Sequence, residues 1–512
     1  MEVNLSYLDE KVAPKREDRL GTCIDYGGSG CGLKKQFGAG CLQGNSRGFC
    51  QGSICQLLPG TSILYSLPDT VVIVHGAIGC GGAGNSQGAS LRIAEIRNGN
   101  ANPKGLLWLS TNLNERDVVS GGEEKLCDAI LEADKRYRPA AIVVLSSCVP
   151  GIIGDDIDGV AARMQSQVNA VILPVHCEGF KTKIMATAYD AIYHSIAKNL
   201  LDLEEEGYRE PIIRDELAEV AETIRRSRLV NLMNVSSMTL GDEQELTRLL
   251  QGLGLEVNLY PVAAHPEQMR YATEAALSIS SCPTHDDYFL QHLKEKYGVP
   301  YILRHTPIGI SNTNQWLRDI AAFFKLEAVA ERIIARETAE LNEALAPYLA
   351  NLKGKKVMLS AGEMRTFATA VLLQELGMNV VAVRPYHYDQ FGEVELDKLL
   401  AANQEIPVNV ATGQPFEEVN LIEKLQPDLF LGHMYENVWA AKSGVPVLPI
   451  FGGVVNTYAG YTGVFDIVRR ISRILKNPSF NRQLKENVRQ PYYRDWFQAE
   501  PFQYINAGGN GR

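Results

Sequence analysis

From residue 70 onward the chain alternates short, almost uninterrupted apolar runs with longer stretches in which apolar positions recur at helical spacing. The runs at 70–74, 105–109, 141–145 and 170–175 are rich in valine, isoleucine and leucine, as expected of strands buried on both faces. Between them, 123–136, 154–167 and 182–201 read as helices. Such alternation predicts βαβ units around a parallel sheet.

The pattern then repeats. A charged helical stretch at 203–228 precedes strand-like runs at 229–234, 256–260, 276–280 and 301–303. A long helix at 316–352 leads to a third set near 355–362, 379–383, 428–431 and 445–449. The expected fold is therefore α/β, with three doubly wound parallel-sheet domains at 61–225, 226–353 and 354–480. Residues 1–60 are rich in glycine and cysteine with little periodicity and predict an irregular N-terminal arm. Residues 481–512, with Tyr492, Tyr493, Trp496 and Phe497, read as a C-terminal tail that packs on a neighbour.

Composition narrows the class. The chain has 512 residues, more than one core accommodates, with 45% hydrophobic and 21% charged residues. No apolar run reaches the roughly 18–20 residues of a membrane span, and Met1-Glu-Val-Asn-Leu-Ser lacks a basic region followed by an apolar one. A cytoplasmic protein is expected. The formal charge of −10 argues against nucleic acid as a partner. No Gly-x-x-x-x-Gly-Lys-Ser/Thr loop is present, so no nucleotide is expected on this chain.

The ten cysteines add chemistry, because thiols of a cytosolic chain serve metal or redox work more often than disulfides. There is no Cys-x-x-Cys, which weighs against zinc ribbons, ferredoxins and thioredoxins. Instead Cys80, Cys148, Cys177, Cys282 and His433 each follow an expected strand. That is the edge at which open parallel sheets bind ligands. One such cysteine is commonly a small buried hydrophobe, but the set points to metal. Gly76-Ala-Ile-Gly-Cys-Gly-Gly would let backbone approach a large inorganic body. Gly154-Asp-Asp-Ile-Asp-Gly reads as the acidic first turn of a helix after Cys148.

Several stretches resemble the catalytic α (D-type) subunit of nitrogenases. They are Cys55 and Cys80 at a 25-residue separation, Thr111-Asn-Leu-Asn-Glu-Arg-Asp-Val-Val-Ser-Gly-Gly-Glu-Glu-Lys-Leu, Ser147-Cys-Val-Pro-Gly-Ile-Ile-Gly-Asp-Asp-Ile, and Pro174-Val-His-Cys-Glu-Gly-Phe. Further on come Ser281-Cys-Pro-Thr-His-Asp-Asp-Tyr, Glu295-Lys-Tyr-Gly-Val-Pro-Tyr, Glu375-Leu-Gly-Met-Asn-Val-Val and Lys442-Ser-Gly-Val-Pro. The resemblance spans roughly 50–480 and implies three Rossmann-like domains around a buried metallocluster. By position, Cys55, Cys80 and Cys148 match the α-side ligands of an eight-iron, seven-sulfur P-cluster shared with a homologous β (K-type) subunit in an α2β2 heterotetramer. Cys50, in the same loop as Cys55, is the alternative. Cys282 matches the thiolate that holds one end of the active-site iron–sulfur cluster. Electrons would arrive from an ATP-hydrolysing four-iron reductase partner.

Departures from that pattern shape the expected function. On the helix after Cys-Glu-Gly-Phe, nitrogenases place a glutamine and a histidine where this chain has Met185 and Tyr189. Before Tyr458-Ala-Gly the family has a ligand histidine, whereas here the text is Gly452-Gly-Val-Val-Asn-Thr. A cluster of the nitrogenase-cofactor type without molybdenum follows, with His433 as substitute ligand. Among nitrogenase-like systems the combination most resembles methylthio-alkane reductase. That resemblance implies reductive cleavage of a small thioether to methanethiol and a hydrocarbon, with Tyr189 supplying a proton and Met185 a soft wall. Two alternatives stay open, a cofactor-assembly scaffold and a dinitrogen-reducing nitrogenase. Cys23, Cys31, Cys41 and Cys50 either hold a further cluster or cover the shared one.

Overall fold

The computed structural model describes residues 8, 10–39, 46–48, 50, 55–82, 92, 96, 101, 103–202, 222–234, 238–433, 436–451, 456–488 and 494–506. Most of the charged stretch at 203–228, together with Cys41, Tyr492 and Tyr493, lies outside them. The chain divides into two compact units. The first comprises Met1–Arg19, Cys55–Ser236 and Gly254–Leu303, and the second Leu20–Ile54, Ser237–Leu253 and Arg304–Arg512.

The arm at 1–60 is more ordered than its composition suggests. It forms strands β1 (Tyr26–Ser29) and β2 (Ser46–Arg47), and a helix over Gly30–Gly38 whose first turn is capped by the Ser29 hydroxyl, accepting from Gly32 N. Its glycines carry no hydrophobic period to betray a strand. What orders β1 is an antiparallel partner far along the chain, described below, which satisfies its backbone groups.

The first unit holds two parallel sheets. Strands β3 (Thr70–His75), β4 (Leu107–Ser110), β5 (Ala141–Ser146) and β6 (Val171–His176) pair in the order β4-β3-β5-β6. Strands β7 (Leu229–Met233), β8 (Glu256–Tyr260), β9 (Leu277–Ser280) and β10 (Tyr301–Ile302) pair as β10-β9-β7-β8. Central β3 and β5 are buried throughout, and Val71, Ile73, Ile142 and Val144 pack on Leu126, Ile130, Val160 and Met164 of the covering helices. The second unit is built on β11 (Lys356–Ala361), β12 (Asn379–Pro385), β13 (Pro407–Val410), β14 (Leu429–Gly432) and β15 (Val447–Pro449). With β1 antiparallel on the β13 edge, the order is β1-β13-β12-β11-β14-β15. A last strand, β16 (Ile505–Asn506), pairs with β2.

In each of the three parallel sheets the chain steps to one side and then returns to the other. The reversal falls between β3 and β5, between β7 and β9, and between β11 and β14. Crevices outside the carboxyl ends of strands at such reversals are where open α/β sheets bind ligands.

Several helices differ from their expected spans. The stretch at 154–167 begins earlier, because Cys148–Ile153 forms its own short helix, ended at Gly154, before Ile157–Met164. The stretch at 182–201 becomes an α-helix over Ala186–Ile196 followed by a π turn at Ala197–Leu201. The long helix at 316–352 is two helices, Ile310–Phe324 and Glu327–Leu352, broken where Lys325 takes a left-handed φ of 58°. In the tail, Trp496 packs within its own chain, edge-on to Phe416 at 5.3 Å and beside Trp439 at 6.2 Å.

Candidate cluster-binding sites

Three of the sequence-predicted thiols converge at the first reversal. Cys80 lies in the short helix Ile78–Gly82 after β3, Cys148 begins the helix after β5, and Cys55 precedes the helix Leu57–Leu64. Gly179 locates two of the sulfurs. A Cβ built on it would stand 2.6 Å from Cys55 Sγ and 3.4 Å from Cys148 Sγ. Glycine is required there, because the Cys55 sulfur occupies the space a side chain would fill. Burial pushes the Cys80 thiol up against a hydrogen bond from Ser147 that lowers it, and the nearby Cys148 and Cys55 add to the rise. Cys55 is exposed and Cys80 and Cys148 are half-buried. Ile78, Ile152 and Phe180, beside these cysteines in sequence, are 58%, 72% and 58% exposed. Exposed apolar side chains therefore flank the loops that carry the three cysteines.

Cys177 is a different kind of thiol. It is fully buried, donates to the Gln56 carbonyl at 3.3 Å, and is pushed far above the usual thiol range by burial. It packs behind the trio as a small hydrophobe.

The loops carrying the trio are held by histidine–carboxylate contacts that the sequence did not single out. His75, buried at the end of β3, sits 2.9 Å from Asp155 Oδ2 through Nε2 and 3.1 Å from Thr111 Oγ1 through Nδ1. A carboxylate only accepts, which assigns the proton to Nε2. Asp155 also accepts from Gly122 N at 3.1 Å, so one carboxylate ties three loops. Next to Cys177, His176 contacts Asp158 at 2.6 Å and Glu178 at 3.3 Å, and Lys181 donates to Glu178 at 3.3 Å. His176, Glu178 and Lys181 line an open groove of about 380 Å³ together with Pro150 and Phe180. The only sequence signal for them was position, each histidine ending a strand.

At the second reversal, Cys282 follows β9 and is 3% exposed. Its N–H donates to Ser280 Oγ at 3.0 Å, and the Ser280 hydroxyl donates to Asp286 at 2.6 Å, which fixes the turn into the helix Pro283–Tyr297. One turn along that helix, His285 stacks on Tyr189. Tyr189 is buried and Met185 half-buried at the start of the helix Ala186–Ile196. The structure therefore brings Tyr189 to the helix that Cys282 opens, and adds His285, which sequence reasoning missed. Arg16 locks the same two helices together. It reaches Asp190 at 2.6 and 3.1 Å and Asp287 at 2.8 Å, all with buried side chains.

His433 lies in the second unit at the third reversal, just after β14. Its Nε2–H donates to the Phe451 carbonyl at 3.1 Å, leaving Nδ1 as the available donor atom for a metal. Burial and the nearby Arg365 pull its pKa down to about 4, so the ring is neutral near pH 7. Of the arm cysteines, Cys41 lies outside the described residues. Cys23 is buried, pairs through its backbone with Tyr388, and is pushed up to about 12 by burial. Cys31 donates to Glu405 at 3.0 Å, and Cys50 is exposed. Among the described residues no three of these sulfurs lie within 4.8 Å of one another.

Comparison with known proteins covers most of the chain. A family model described as nitrogenase component 1 type oxidoreductase matches residues 55–476. The nitrogenase iron-molybdenum cofactor biosynthesis protein NifE of Rippkaea orientalis is 30% identical over 474 residues, covering 91% of this chain and 93% of that one. The nitrogenase molybdenum-iron protein alpha chain of Methanococcus maripaludis is 27% identical over 428 residues, covering 82% and 85%. A solved nitrogenase structure, nitrogenase Cp1 at pH 5, superposes with a TM-score of 0.67 at 24% identity over 88% of this chain and 92% of that one, a likeness of fold.

Proposed function

Since the chain belongs to the nitrogenase component 1 type oxidoreductase family, we propose that it is the catalytic α-type subunit of a nitrogenase-like reductase that cleaves carbon–sulfur bonds of small methylthio compounds. The overall change would consume two electrons and two protons, converting R–S–CH3 to R–H and methanethiol. Cys55, Cys80 and Cys148 would hold this subunit's half of a P-type cluster, whose fit rests on the open cradle at Gly179. The other half would come from a homologous β-type partner.

The observation that carries the proposal is the arrangement around Cys282. A thiolate ligand only 3% exposed suits a resident cluster better than one handed onward, and Tyr189 stands on His285 one helical turn away. When bound, the cluster there would supply the reducing electrons. The chain's own contribution is a proton from the Tyr189 hydroxyl and an apolar, polarisable wall from Met185 for the thioether. His433, neutral and with Nδ1 to spare, is the proposed imidazole ligand; unchanged cluster content and spectrum in His433→Ala would remove it.

The test is an anaerobic assay with the partner subunit, the reductase and ATP. Methanethiol release from a methylthio-alcohol is expected, and none from a complex with verified cluster content sinks the proposal. A second reading, a cofactor-assembly scaffold, is favoured by the 30% identity to NifE proteins over about nine-tenths of the chain. Such a scaffold would instead surrender its cluster to an apo-acceptor.

A further inference from the structure

The carboxyl edge of the six-stranded sheet carries another set of ligand-type side chains, independent of the thiols. Glu363 opens the helix Glu363–Glu375 just after β11, and His387 and Asp389 follow the adjacent parallel strand β12. All three are buried, the two carboxylates completely at the side chain. One ligand atom from each lies within 4.8 Å of the other two.

The separations decide between a hydrogen-bonded cluster and an ion site. His387 Nε2 is 3.5 Å from Glu363 Oε2 and 3.9 Å from Asp389 Oδ2. Charge-assisted hydrogen bonds between such groups are shorter, about 2.7–2.9 Å. Donor atoms around an ion held at roughly 2.0–2.2 Å stand about 3–3.6 Å apart at neighbouring corners, close to the observed spacing. The remaining carboxylate oxygens are already engaged and aimed. Glu363 Oε1 accepts from Asp389 N at 3.0 Å, and Asp389 Oδ1 accepts from Phe391 N at 2.9 Å. Outer hydrogen bonds of this kind orient ligands toward a metal. Gly392 lies against Glu363 so closely that any Cβ would collide with its carboxylate.

We propose that Glu363, His387 and Asp389 bind one divalent first-row cation through one nitrogen and two oxygens, as a structural site. The donor set suits manganese, ferrous iron or zinc rather than a thiophilic ion. The role follows from position. Cys23 and Tyr388 exchange backbone hydrogen bonds at 2.8 and 2.9 Å, so the loop between the two β12-side ligands also anchors the N-terminal arm. An ion there would fasten β11, β12 and that arm at one point.

Manganese discriminates this site from the cluster thiols because it prefers oxygen and nitrogen donors. Titration of the purified full-length chain with Mn²⁺, followed by loss of the free-ion electron paramagnetic resonance signal, should give one saturable ion per chain. Glu363→Gln combined with Asp389→Asn should weaken it at least tenfold, whereas the exposed-acid control Glu393→Gln should leave it unchanged. His387→Gln is the second variant, because it keeps both carboxylates, and it too should bind at least tenfold more weakly. No saturable Mn²⁺ binding by the wild-type chain overturns the site, as does wild-type affinity in either ligand variant.

Discussion

The ring of Tyr189 lies almost flat on that of His285, with centroids 4.0 Å apart and planes inclined by 13°. The stack fixes where the phenol points relative to the helix that Cys282 opens. Tyr189→Phe keeps the ring and removes only the hydroxyl. If that hydroxyl delivers a proton, methanethiol release should fall by about 10²-fold or more, the usual worth of general acid catalysis, with cluster content unchanged. Undiminished turnover in the Phe variant would rule the hydroxyl out.

How much of this was legible beforehand depended on what each residue had to announce. Strands such as β3 and β5 stood out because buried parallel strands are continuous apolar runs. Strand β1, Tyr-Gly-Gly-Ser, has no such run and is ordered only by its pairing with β13, hundreds of residues later. The break at Lys325 is a backbone turn that the flanking helical pattern does not register. The thiols were visible as site residues because their side-chain type is rare and Cys80, Cys148 and Cys282 each follow a strand. His285 and Asp190 were not, since one histidine and one acid on a helix mean little until Tyr189 and Arg16 are brought against them by folding.

Arg16 should be a stability residue for the Cys282 region. It joins Asp190 and Asp287 with every group buried, and Arg19 adds longer contacts of 3.0 Å to both acids. Arg16→Ala strands two carboxylates with one cation, and breaking such buried pairs costs about 3–5 kcal/mol. The denaturation midpoint of the purified subunit should drop accordingly. Arg16→Met with Asp190→Asn and Asp287→Asn, which removes the charges together, should recover much of the loss. An unchanged midpoint in Arg16→Ala would show the network to be energetically idle.

The groove beside the cysteines should make stability depend on pH. Burial opposes a charged His176, yet its hydrogen bonds to Asp158 and Glu178 outweigh that and hold its pKa above 6.5. Burial likewise opposes an ionised Glu178, but His176 and Lys181 hold its pKa down at about 2. A raised histidine stabilises fully below its unfolded value and loses that contribution as pH climbs through the folded one. A depressed carboxylate stabilises above its unfolded value, 4.5, and loses that contribution as pH falls toward 2. The pair therefore contributes most between about pH 4.5 and 6.5. Urea midpoints should decline from pH 6 to pH 8.5 in the wild type and decline less in His176→Gln. Parallel profiles for the two proteins would contradict the assignment.

The cradle at Gly179 gives the most direct check on the thiol site. A Cβ at that position would meet Cys55 Sγ at 2.6 Å, closer than a carbon and a sulfur can settle, and Cys148 Sγ at 3.4 Å. Gly179→Ala must therefore push Cys55 aside while leaving β6 and its buried residues in place. If Cys55, Cys80 and Cys148 hold one cluster, Gly179→Ala should lower its occupancy in the assembled complex, and Cys80→Ala should abolish its spectroscopic signal. A cluster held by Cys282 would belong to a different strand reversal, so its signal should persist in both variants. Loss of both signals together would mean that the two sites are filled interdependently, and a fully retained P-type signal in Cys80→Ala would remove that thiol as a ligand.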